Sequence, residues 1–211
     1  MNCFNTEITE QEALKKVFFA IENKLGGVFV SPLMVPVVKD ISNRELQIST
    51  FVDYPYGMAD TATRTHAVLS CIRKGAVNID LMANMFYINN KQHLKFSEDV
   101  KANLEICKSN GANLRIVLEY KLYELPVVYK LCEVLADIGV QYIVPSTDRL
   151  LDDVIDNIFV CHGITKKTGL KTIINAPIHK EIQFKCVLES KCHGVRLKTE
   201  KSYEHLKSLG V

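Results

Sequence analysis

Tryptophan is absent from the 211 residues, and all aromatics together make up 8%. That leaves little material for stacking bases. Cationic side chains are not gathered either: 26 Lys and Arg against 24 Asp and Glu give a net charge of +2, spread along the chain. With no basic stripe, nucleic acid is excluded as an expected partner. No apolar run approaches the roughly 20 residues needed to cross a bilayer, and residues 1–10 are polar and acidic, unlike a secretory leader. The expectation is a cytoplasmic protein without a membrane partner. The seven cysteines are an odd number without close pairs, so they form no disulfide framework. Zinc-site spacing is missing too; Cys186, Cys192 and His193 come nearest but have no second pair. No metal is expected. Cys71, Cys107 and Cys132 read as small apolar residues on helix faces. A glycine-rich phosphate turn after a strand is lacking, because Gly26-Gly27 precedes one. No linker or low-complexity stretch divides the chain, which reads as one domain over 1–211.

What is present is alternation. Residues 9–25 open with Thr9 and Glu12 at capping-box spacing. Ala13, Val17, Phe18, Ile21 and Leu25 then recur at helical period, so this is an amphipathic helix. Strands are expected at 28–31, 46–52, 78–83, 113–119, 141–144, 171–175 and 194–197. Helices are expected at 34–41, 61–74, 97–109, 126–138, 150–162 and 179–189. The strands are near-continuous apolar runs, the signature of a parallel sheet covered by helices. Seven such strands, with residues 1–4 as a short or absent first one, point to a compact α/β (β/α)8 TIM barrel.

Residues 51–84 carry FVDYPYG, a helix, then KGAVNIDLMAN. This resembles the deoxyribose-phosphate aldolase family, whose second and third strands run V-x-x-[FY]-P-x-G, helix, G-A-x-x-[IV]-D-x-x-x-N. LRIVLEYKLY (114–123) is similar to the family's L-K-V-I-I-E-T, GVQYIVPSTD (139–148) to G-A-D-[FY]-[IV]-K-T-S-T-G, and HGVRLKT (193–199) stands where the family has R-x-G-[AT]-S-S. The resemblance covers about residues 9–205. It implies a small-molecule aldolase that needs no cofactor, its substrate an aldehyde or sugar phosphate, and a homo-oligomer is compatible with it.

The resemblance also implies a lysine that forms a Schiff base with the substrate carbonyl, since only an amine yields a protonatable imine. Aligned on Ser146 and Thr147, that position is Val144. A second family lysine, which lowers the first one's pKa, falls on Ile173. The phosphate grip changes as well: Ala176-Pro177 replaces a Gly-Gly turn, removing an N–H donor, and Glu200 stands near the loop at Lys198. The expectation is therefore an aldolase-like barrel without its chemistry, a pseudoenzyme of lyase ancestry binding a polyol, aldehyde or metabolite. Asp80 survives as the family's proton-transfer aspartate, and Asn84, Glu119, Ser146 and Thr147 survive with it. Ser31 and Asn175, at strand ends, complete the candidate binding set. The alternative is a working carbon–carbon lyase using a relocated lysine, Lys121 or Lys198, with Asp80. His179 is expected at the surface, and Asp148, Arg149, Asp152 and Asp153 are expected as the solvated first turn of a helix.

Overall fold

A computed structural model describes residues 1–5, 7–42, 46–147, 149–150 and 152–208. They fall into two compact units, Met1–Leu114 and Arg115–Val211.

In the first unit, α1 (Glu10–Glu22) begins with the capping box expected from Thr9 and Glu12. The Thr9 N–H donates to Glu12 Oε2 (2.9 Å), and the Glu12 N–H donates to Thr9 Oγ1 (3.3 Å). Ala13, Val17 and Ala20 face the core. The order continues β1 (Gly27–Phe29), α2 (Val35–Ile41), β2 (Gln47–Val52), α3 (Thr61–Lys74), β3 (Asn78–Met82), α4 (Met85–Asn89) and α5 (His93–Ser109). β1, β2 and β3 are parallel neighbours. Residues 1–4 make only an isolated parallel bridge, Asn2 with Phe29, supported by Cys3 N–H to Phe29 O and Phe29 N–H to Met1 O.

An amide seam fixes the strand starts: Asn113 Nδ2 donates to Asn78 Oδ1 (3.0 Å), and Asn78 Nδ2 reaches Gln47 Oε1 (3.3 Å) and Ser49 Oγ (3.4 Å). Slipping a strand by one residue would put these amides among aliphatics and flip every side chain.

The second unit contains most of β4 (Asn113–Val117), a 3-10 turn (Tyr120–Leu122), α6 (Leu125–Ile138), β5 (Tyr142–Val144), α7 (Val154–Thr168), β6 (Lys171–Ile174), α8 (Glu181–Glu189), β7 (Gly194–Val195) and α9 (Glu200–Ser208). β4 pairs with β5, β5 with β6 and β6 with β7, all parallel. Among the described residues, the seven strands and the helices that alternate with them follow the expected α/β pattern.

Three departures have local causes. α4 is one short turn capped by Asn84, too brief to show a period. α7 starts at Val154 because Asp153 caps it, accepting from the Ile155 N–H at 2.7 Å. It then runs through Gly163 to Thr168, because Tyr129 packs in the space a Cβ at Gly163 would need. α9 is mostly polar, with Tyr203 and Leu206 as its large apolar residues, and lies beyond the last expected strand.

Candidate functional site

In the first unit, Asp80 lies mid-β3 in register with Phe51 and is fully buried. Ser31 follows β1, half-buried, its carbonyl accepting the Met34 N–H. Asn84 is occupied structurally: Oδ1 accepts the Tyr87 N–H (3.2 Å) to cap α4, and Nδ2 donates to Ala59 O (3.2 Å).

The FVDYPYG segment is held by a residue that sequence reasoning missed. Arg64, on α3 and 1% exposed, donates through Nη1 to Asp53 Oδ2 (2.9 Å) and Gly57 O (3.0 Å), and through Nη2 to Met82 O (2.5 Å). Nη2 also pairs with Asp99 Oδ2 at 3.2 Å, and Thr61 Oγ1 donates to Asp99 Oδ1. A buried guanidinium needs such a ring of acceptors, because its desolvation is otherwise uncompensated. Burial pushes the Asp99 carboxyl above its ordinary range, with Arg64 opposing. Nothing in the spacing of residues 53, 64 and 99 announces this cage.

In the second unit, the polar residues expected at strand ends come together. Glu119 follows β4, Ser146 and Thr147 follow β5, and Asn175 follows β6. The β4–β5 ladder extends beyond its strands through Leu118 N–H to Val144 O and Tyr120 N–H to Pro145 O, both 2.9 Å, which sets Glu119 beside Thr147. Glu119 Oε2 accepts from the Thr147 N–H (2.9 Å) and from Thr147 Oγ1. Asn175 Nδ2 donates to Ser146 O (2.9 Å). All four residues are buried. Two acceptors are left over: Glu119 Oε1 and Asn175 Oδ1 are buried without a hydrogen-bond partner. Burial raises the Glu119 carboxyl, while the Thr147 bonds pull it down.

Val144, at the end of β5, is fully buried, and Ile173, in β6, is 7% exposed. Lys121 does not stand apart as an amine. Its Nζ is 3.2 Å from Asp152 Oδ1, which also accepts from the Tyr120 hydroxyl (2.6 Å), while Asp152 Oδ2 accepts from Asn157 Nδ2 (2.8 Å). Asp152 is thus buried in a network and is not part of a solvated helix turn, which corrects the expectation for that residue. Asp153 keeps a helix-capping place, and Asp148 lies outside the described residues. Burial and the Asp152 carboxylate together raise the Tyr120 phenol. Lys198 is half-buried between β7 and α9, and His179 is exposed as expected. Among the described residues no group of three or more acidic, His or Cys side chains could hold a metal, and no helix is long and apolar enough to cross a membrane.

No family model matches the chain. It is 30% identical over 142 residues, 67% of its length, to the deoxyribose-phosphate aldolase of Mannheimia succiniciproducens. It is 24% identical over 165 residues, 77% of its length, to that of Picosynechococcus sp.. These stretches span 62% and 71% of the relatives' own lengths. Among solved structures, a deoxyribose phosphate aldolase from Aeropyrum pernix, described as a unique tetramer, superimposes with a TM-score of 0.84. The match covers 100% of this chain and 87% of that one at 15% identity. An aldolase called QR15 gives 0.87 at 16% identity, covering 99% and 94%. At such identities the structural likeness speaks for the fold alone. Together with the sequence relatives and the strand-end motifs now seen in place, it assigns the chain to the deoxyribose-phosphate-aldolase-like family.

Proposed function

We propose that this chain is an aldolase-like barrel that has lost Schiff-base chemistry and binds a small polyhydroxylated ligand at its strand ends. The reading treats it as one cytoplasmic domain, closed as an eight-stranded barrel with residues 1–4 as the opening strand. The observation that carries it is Val144, a buried aliphatic where the resemblance calls for the reactive amine. Ile173 at the second lysine position supports the same conclusion.

The ligand class follows from the unused valences. Asn175 has committed its N–H to Ser146, and Glu119 Oε1 and Asn175 Oδ1 remain as buried acceptors. Such acceptors favour a ligand that brings hydroxyl donors and disfavour a phosphate, since an unmade buried hydrogen bond costs about 1–3 kcal/mol. Asp80, Ser31 and Asn84, all in the first unit, are kept as proposed polar binding residues in their own right.

The rival reading keeps lyase activity through Lys121 or Lys198, with Asp80 as acid–base. Lys121 is poorly suited, because an ammonium paired with Asp152 has no lone pair to attack a carbonyl. Lys198 is the stronger candidate, being half-buried just after β7. Incubation with acetaldehyde or an aldose phosphate followed by borohydride separates the two. No mass increase is expected on the intact protein, whereas a stoichiometric adduct mapped to Lys121 or Lys198 would establish the lyase. Calorimetry with neutral polyols is expected to give heats of binding that Asn175→Leu abolishes.

A further inference from the structure

The first unit carries a cavity none of whose lining residues belongs to the candidate binding set. It measures about 260 Å³ and is lined by His66, Leu69, Ser70, Arg73 and Lys74 of α3. That is below the roughly 300–1,000 Å³ of a site for a drug-sized molecule, so its occupant is smaller. The five residues recur at i, i+3, i+4, i+7 and i+8, which is one face of a helix. Arg64, Val68 and Cys71, which α3 buries, lie on the opposite face. Although their face turns away from the core, Leu69, Ser70 and Lys74 are half-buried, while His66 and Arg73 are exposed.

All the charge on this helix is of one sign, because α3 contains no Asp or Glu. A surface cation on a helix ordinarily finds an acid four residues away. Four residues before Arg73 and Lys74 stand Leu69 and Ser70 instead. Among the described residues, the side chains of His66, Ser70, Arg73 and Lys74 form no hydrogen bond and no ion pair. Cations in the last turn of a helix answer its carbonyl end, which accounts for Arg73 and Lys74. It does not account for Ser70 and His66, one and two turns earlier, lining the same space. A concave surface with one sign of charge focuses its field and concentrates counter-ions.

We propose that this cavity is a phosphate-binding site, taking the phosphate group of a small metabolite or the free ion. The planar guanidinium of Arg73 matches two phosphate oxygens at once, and Lys74 adds a point charge. Ser70 offers a hydroxyl donor and His66 an imidazole N–H. Leu69 gives a short carbon skeleton an apolar surface to lie against. The site is independent of the ligand proposed for Glu119 and Asn175, which belong to the second unit.

The test is a titration of the intact chain followed by NMR at the His66 imidazole, its signal identified by its loss in His66→Gln. Glycerol 3-phosphate and inorganic phosphate are added separately, with sodium chloride at matched ionic strength as the control. At least one of the two is expected to move the His66 resonances to saturation, while chloride leaves them in place. A tighter response to the ester names a phosphorylated metabolite; a response to phosphate at least as tight names the free ion. Arg73→Gln and Lys74→Gln should each weaken the response about tenfold, the loss of one charge-assisted hydrogen bond. Both residues lie on the face away from the core, so circular dichroism should show the native helix content in each variant. Lys15→Gln, the same change of charge on α1, should leave the response intact, and so should Asn175→Leu. No shift beyond that of chloride, or a shift equally strong in Arg73→Gln and Lys74→Gln, overturns the proposal.

Discussion

Glu119 and Asn175 are the residues on which the proposed recognition turns, and Glu119 also leaves a thermodynamic signature. Its carboxyl is raised from the ordinary 4.5 by burial. A folded-state pKa above the unfolded value means that the native protein holds a proton the unfolded chain has released. The stabilisation is complete below pH 4.5 and is lost as pH rises through the raised value. Asp99, raised from 3.8, acts in the same direction. Melting temperature measured from mildly acidic to neutral pH should therefore fall less steeply in Glu119→Gln than in the parent. Equal slopes would remove Glu119 from the account. Arg64 offers a sharper case. Replacing it with Met leaves Asp99 buried and uncompensated, a loss of about 3–5 kcal/mol, and adding Asp99→Asn should recover part of it. Denaturant titration of the single and double variants reads both. Of these residues, Glu119, Ser146 and Thr147 were legible in the sequence because they lie within contiguous motifs. Asp152 was not, since its partners Tyr120 and Lys121 are some thirty positions away and no periodicity links them.

At the level of elements, local chemistry explains both the agreements and the misses. Both hydrogen bonds of the Thr9–Glu12 box form, and α3 spans 61–74 as read, ended by Gly75 at φ +120°. Its N-cap is Asp60, which accepts from the Thr63 N–H. The end of α7 was misplaced because Gly163 looks like a stop in one dimension and is a packing allowance in three. Gly57 is the position where glycine is most clearly required. Its φ is +62°, and a Cβ there would strike the Ala83 carbonyl, which is backbone and cannot swing aside. Asp53 also has positive φ, +61°, yet its carboxylate repays part of that strain by accepting the Ala59 N–H. Gly57→Ala has no such compensation and should destabilise by more than the roughly 1–2 kcal/mol of a left-handed alanine. Urea unfolding of that variant, compared with Gly111→Ala, separates the clash from the dihedral cost, because Gly111 shares a positive φ but has open space around it.

Over the whole molecule, the seven cysteines record how the core is distributed. Cys3, Cys71, Cys107, Cys132 and Cys161 are buried, and Cys186 and Cys192 are half-buried. Burial lifts Cys3 to about 11 and Cys107 and Cys132 to about 12, so these thiols are protonated as well as covered. An Ellman titration of the native, reduced protein should count two fast thiols, and seven after denaturation. More than two in the native state would mean that the helices open readily. All seven strands were readable because parallel strands buried on both faces leave continuous apolar runs. Residues 1–4 were expected as a short or absent first strand, and their pairing is one bridge on Phe29, whose position depends on geometry rather than composition.

The amide seam through Asn113, Asn78, Gln47 and Ser49 carries no formal charge. Protons and salt therefore have no direct hold on it. Hydrogen exchange followed from mildly acidic to neutral pH, once corrected for the intrinsic rate, should therefore leave the protection of the strand-start amides around residues 47–49 and 78 unchanged, as a register pinned without charge requires.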